Sequence, residues 1–70
     1  LKKIRKQEIK VRQIIEQRKK LELSQKQVAD KCGIKQGYYS RIERGIHIPS
    51  VALAKKLANV LQISWTEFFN

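Results

Sequence analysis

The chain has 70 residues, with 16 Lys and Arg against 6 Asp and Glu, a formal net charge of +10, one cysteine and one histidine. The single cysteine, Cys32, excludes an internal disulfide. With His47 as the sole histidine there is no Cys/His zinc set, so neither a metal nor another cofactor is expected.

No apolar run approaches the roughly 18 residues of a membrane span, and no apolar core follows the basic N-terminus as it would in a signal peptide. A chain this short makes one domain with a core near the lower limit for independent folding, so it must rest on helix packing or on a partner subunit. The lone thiol points to a reducing compartment, and a cytoplasmic location is expected. The first residue is Leu1 rather than Met, which reads as a trimmed or partial chain. So large an excess of positive charge is self-repulsive, and a polyanionic partner is the usual reason to keep it. Nucleic acid is the first candidate and an anionic membrane surface the second. The charge is uneven: Lys2, Lys3, Arg5, Lys6, Lys10, Arg12, Arg18, Lys19 and Lys20 all lie near the N-terminus.

Only one proline is present, and nothing alternates with the period of a strand. The punctuation divides the chain into five short helices, so the expected fold class is all-α. The first helix is expected over about residues 4–20, with Val11, Ile14, Ile15, Arg18 and Leu21 in one stripe. Its basic start, residues 1–10, forms an N-terminal extension that continues into this helix, ahead of a domain spanning residues 11–70. That extension reads as a solvated face, a phosphate-touching arm or a membrane-surface helix.

The second helix opens at "LSQKQVADKCG", with Ser24 as N-cap, Gln27 completing a capping box and Gly33 as a left-handed stop. Val28, Ala29 and Cys32 form its apolar face, and Cys32 is read as a core residue. The third helix runs from about Lys35 to Arg44 and is stopped by Gly45. Two short helices joined by a tight glycine-containing turn are the signature of a helix-turn-helix. The fourth helix follows the N-cap Ser50 through Leu53, Ala54, Leu57, Ala58 and Leu61. A fifth is expected from Ser64, with Glu67 completing a second capping box and Trp65, Phe68 and Phe69 serving as a core lid or a dimer contact. His47 is a loop histidine with no evident partner.

The third helix carries the functional signal. At about 100° per residue, Gln36, Ser40, Arg44, Gly37 and Arg41 share one arc, while Tyr38, Ile42 and Tyr39 fall on the opposite one. A glycine in the middle of the polar arc lets the backbone approach whatever docks there. If that is the DNA major groove, Gln36 has the chemistry for adenine and Arg41 for guanine. From this helix alone, DNA contact and an ordinary solvated face remain equally open.

Residues 11–69 resemble the helix-turn-helix domain of the phage repressor and Cro, or XRE-like, family. The likeness rests on "R…LSQKQVADKCGIKQGYYSRIERG…PS…LAKKLANVLQIS…F", in order and at family spacing. It implies a compact five-helix domain whose third helix enters the major groove. Gln36, Gly37, Ser40 and Arg41 then face base edges. Gln25, Lys35, Tyr38 and Arg44 contact phosphates, a role that helix N-terminal charge also favours for Gln25. Tyr39 takes a buried family position. Arg18 and Glu43 match a buried ion pair; Arg18 lies in the apolar stripe of the first helix, where an unpaired charge would be very costly.

Several residues depart from the family pattern. Ile46 stands where a basic residue is common, Arg44 replaces an asparagine, Glu22 a glycine, Gln17 an apolar residue and Lys35 a Ser or Thr cap. The expected function is sequence-specific binding of double-stranded DNA by a repressor-type transcriptional regulator, as a homodimer. No catalytic arrangement is evident, so no enzyme activity is expected. One rival is a protein-interaction module, such as an antitoxin or adaptor, with secondary DNA binding. The other is a basic membrane- or RNA-binding domain without base readout.

Overall fold

The computed structural model describes the backbone of residues 5–69 and the side chains of residues 11–69. Four α-helices follow one another among these residues: α1 Arg5–Lys20, α2 Gln25–Cys32, α3 Gln36–Glu43 and α4 Val51–Leu61. The side chains of the basic residues of the N-terminal extension, Lys2, Lys3, Arg5, Lys6 and Lys10, lie outside the described residues.

The fifth expected helix is not an α-helix. Trp65–Phe68 forms a single 3-10 turn, and its capping differs from the expected box. The Ser64 hydroxyl accepts from the Thr66 N–H at 3.3 Å, and Glu67 N–H bonds the Ser64 carbonyl at 3.0 Å. With the backbone of Phe69 already extended, the segment is too short for i to i+4 bonding to begin. A 3-10 turn needs only i to i+3 bonds and suits such short pieces.

The other helices follow their local signals. At the start of α2, Gln27 N–H donates to Ser24 Oγ at 3.0 Å, and Ser24 N–H donates to Gln27 Oε1 at 2.8 Å. Gly33 ends α2 with φ 71°, its N–H reaching the Ala29 and Asp30 carbonyls. α4 begins with Leu53 N–H on Ser50 Oγ at 3.1 Å. Two stops use residues other than glycine: Glu22 at φ 60° and Gln62 at φ 61°. Left-handed backbone at a residue with a Cβ is disfavoured by about 1–2 kcal/mol, which marks Glu22 as a strained substitute for the expected glycine.

The helices α2 and α3 pack on one another, α4 packs on α2, and α1 closes over α3, α4 and the 3-10 turn. Their shared core holds Ile14, Val28, Ala29, Cys32, Tyr39, Ile42, Ala54, Leu57, Ala58, Leu61 and Phe68. Burying each larger side chain stabilises the fold by about 1.5–3 kcal/mol. Cys32 is a core residue, and burial pushes its thiol up although Lys56 pulls the other way, so it is a poor nucleophile. The C-terminal aromatics divide: Phe68 is buried and Phe69 half-buried, while Trp65 stays 37% exposed. Trp65 meets the Phe69 ring edge-on at 5.8 Å and lies beneath Lys55 Nζ, 5.2 Å from its centroid.

Polar side chains tie the frame together. Gln17, on the inner side of α1, donates from Nε2 to the Leu61 carbonyl at 3.0 Å. It thereby satisfies one of the free carbonyls at the end of α4. No helix among the described residues is long and apolar enough to cross a membrane.

Candidate nucleic-acid interface

The outward face of α3 is built on a buried ion pair. Arg18 reaches from α1 and donates from Nε to Glu43 Oε2 at 2.5 Å and from Nη2 to Glu43 Oε1 at 3.2 Å. Its remaining nitrogen, Nη1, donates to the Leu23 carbonyl at 2.9 Å. The ion pair is therefore formed, and Glu43, only 3% exposed, is the single buried charged residue among those described. Burial alone would push the Glu43 carboxyl up. Hydrogen bonds from Arg18 and Gln25, with the nearby Tyr39 hydroxyl, outweigh that and hold it below the usual carboxylate range. The Glu43 contact in turn raises the Arg18 guanidinium against its own desolvation.

Tyr39 is fully buried, as expected from its position. Its hydroxyl lacks a hydrogen-bond partner of good geometry. Burial pushes the phenol far up, reinforced by Glu43 and opposed by Arg18, so it stays protonated.

From this pair a relay runs outward. Gln25, the first residue of α2, donates from Nε2 to Glu43 Oε1 at 2.8 Å. Its Oε1 accepts from Gln36 Nε2 at 3.4 Å, so the buried carboxylate fixes which way the Gln25 amide points. Sequence reasoning matched Gln25 to a phosphate contact but did not find its tie to Glu43, since 18 residues separate the two.

Of the residues expected to face bases, Gln36, Gly37 and Arg41 are exposed and Ser40 is half-buried. Gly37 is the second residue of α3, in the first turn rather than the middle. A Cβ placed there meets no atom within 4 Å. Internal packing therefore does not require a glycine at this position.

Lys35 and Arg44 bracket the helix as its N-cap and C-cap residues, both exposed. Lys35 makes no side-chain capping bond, in keeping with its replacement of a Ser or Thr. Beside Lys35, an open groove is lined by Tyr38, Ser50, Leu53 and Lys56. Ile46, in the position where a basic residue is common, is 65% exposed.

His47 does have a partner. Its Nε2 lies 2.6 Å from the Tyr38 hydroxyl, and the rings are tilted by 60° with centroids 4.6 Å apart. Gly45, at φ 75°, turns the chain so that Ile46 and His47 N–H both reach back to the Arg41 carbonyl, at 3.0 and 3.3 Å. Nothing in local sequence announces this pairing, because it depends on the path of the turn.

Comparison with known proteins agrees with the geometry. A helix-turn-helix family profile matches residues 14–68. The chain is 41% identical over 54 residues to the HTH-type transcriptional regulator SlrR of Bacillus subtilis (strain 168), covering 76% of this chain and 36% of that protein. It is also 41% identical over 46 residues to the uncharacterized HTH-type transcriptional regulator YqaF of the same organism, covering 66% of this chain and 60% of that one. The chain thus matches between about a third and three-fifths of these relatives' length. No solved structure matches at a significant level. The profile match spans most of the chain, across the α2–turn–α3 unit and its supporting helices, and the chain belongs to the helix-turn-helix family of the XRE, or phage repressor and Cro, type.

Proposed function

We propose that the chain binds specific sequences of duplex DNA as a transcriptional regulator of the repressor type, with α3 in the major groove. The observation that carries this reading is the outer face of α3. It presents Gln36, Gly37 and Arg41 to solvent, with open space around a glycine that packing does not need. The +10 charge of the whole chain supplies the attraction to phosphates.

Gln36 would read adenine. One of its two amide N–H groups bonds Gln25, leaving one N–H and the carbonyl oxygen, the pair that adenine N7 and N6–H2 require. Arg41 would take guanine in a bidentate contact, and Ser40 would lie close to the base edges. Lys35, Arg44, Tyr38 and the N-terminus of α2 at Gln25 would set the register on phosphates. The basic residues of 1–10 would extend this footprint, ahead of the domain at 11–70.

A homodimer fits the way such domains read two half-sites about one helical turn apart, and a cytoplasmic location fits a DNA-binding role. Both relatives are named as transcriptional regulators, which favours regulation over the antitoxin or adaptor reading. The proposed role is binding, with no catalytic step.

The test is selection from a random duplex library at about 150 mM salt, where weak nonspecific attraction is suppressed. Enrichment of a palindrome with half-sites near one turn apart supports a dimeric operator reader. Retention of DNA at low salt with no enriched motif sinks sequence-specific regulation and leaves a general polyanion surface.

A further inference from the structure

We infer that His47 is a positioning residue for a DNA phosphate contact. It holds the Tyr38 phenol in place and donates from Nε2–H to the phenol oxygen, so that the phenolic O–H points to a phosphate. This rests on the DNA reading above and adds to it a residue outside the recognition helix.

The two groups stand 2.6 Å apart, and a phenol has one O–H to give. If Nε2 is bare, it takes that O–H, and an approaching phosphate oxygen, itself an acceptor, meets only lone pairs. If Nε2 carries a proton, it donates to the phenol oxygen and the O–H is free. The phosphate therefore selects the donating form of His47. A donor on the phenol oxygen also polarises the O–H and strengthens the outward bond.

The surroundings fit this role. The backbone of His47 is anchored to the Arg41 carbonyl at 3.3 Å, which ties the residue to the last turn of α3. Lys35 and Lys56 share a groove with Tyr38 and would draw a phosphate to its hydroxyl. Glu67 of the 3-10 turn lines a small crevice together with His47.

Affinity for a selected duplex is to be measured by fluorescence anisotropy for the wild-type chain, Tyr38→Phe, His47→Phe, their double variant and His47→Gln. His47→Phe keeps an aromatic ring and removes the hydrogen bond. Losing one charge-assisted bond should weaken binding about tenfold. The expected pattern is a similar loss in each single Phe variant, no further loss in the double, and recovery of most of the affinity in His47→Gln, which retains an N–H donor. Imidazole nitrogen NMR of the wild-type chain should show Nε2 protonated in the complex.

Losses that multiply in the double variant, wild-type affinity in His47→Phe, or an unprotonated Nε2 in the complex each overturn the role. Thermal melting checks that the variants fold. If a Phe variant does not, His47→Gln and the NMR readout on the wild-type chain decide. A wild-type chain that binds no duplex overturns the DNA reading and this role together, whereas tight wild-type binding with independent losses overturns the His47 role alone.

Discussion

Replacing Gly37 by alanine should separate folding from DNA binding, because the two ask opposite things of that position. In the free chain an added Cβ meets nothing within 4 Å, and Gly37 carries no left-handed backbone of the kind seen at Gly33 and Gly45. Alanine should therefore relieve the helix penalty of glycine, up to about 0.5–1 kcal/mol in mid-helix and nearer the lower figure in a first turn. For a domain of this size about 0.5 kcal/mol raises Tm by roughly 2–4 °C. Against DNA the same methyl stands where the backbone would approach the bases. Overpacking a close interface costs about 1–3 kcal/mol, or roughly 5- to 140-fold in Kd. Circular-dichroism melts and anisotropy titrations on a selected duplex measure the two effects. A variant that melts higher and binds DNA as well as the wild type would refute the reading of Gly37 as a site of close approach. A variant that melts lower would refute the claim that its Cβ has free space.

Other substitutions probe the frame and the interface. The Glu43 carboxyl is held below its ordinary range. Its contribution is thus complete above about pH 4.3, the unfolded value, and fades as pH falls through the folded-state value. Urea melts between pH 2 and 7 should show that fade, and Glu43→Gln should flatten it while losing about 3 kcal/mol at neutral pH by leaving Arg18 unpaired. Ser24→Ala removes the acceptor for Gln27 N–H, which is one half of the capping box, and should cost about 1 kcal/mol in the same melts. Arg41→Ala should relax discrimination at one base pair, whereas Lys35→Ala should weaken all duplexes alike and lower the salt slope by about one; competition titrations at several salt concentrations tell these apart.

What sequence alone disclosed were features whose partners lie close along the chain or match a family position. The Ser24–Gln27 box, the left-handed Gly33 and the Ser50 cap each involve residues three apart or a single backbone angle, so composition and spacing revealed them. The Arg18–Glu43 pair was readable because an arginine in an apolar stripe demands a counter-charge. The last helix was over-read. Ser64 and Glu67 have capping-box spacing, yet the backbone is already extended at Phe69 and the serine hydroxyl turns to Thr66 instead. His47 stayed silent because its bond to Tyr38 depends on the turn at Gly45. The tie of Gln17 to the Leu61 carbonyl, across 44 residues, has no local signature either.

Arg18 bonds the Leu23 carbonyl ahead of α2 as well as both oxygens of Glu43 at the end of α3. One guanidinium thus fastens the first helix, the loop behind it and α3 at a single point. Fraying of that loop leaves Arg18 Nη1 without its acceptor, fraying of α1 strands a buried carboxylate, and fraying of α3 strands the arginine, so no segment gains by opening alone. The unit that opens is then the whole helix-turn-helix frame. Amide protons of α3, although that helix lies at the surface and spans barely two turns, should exchange with solvent only as slowly as those of the core.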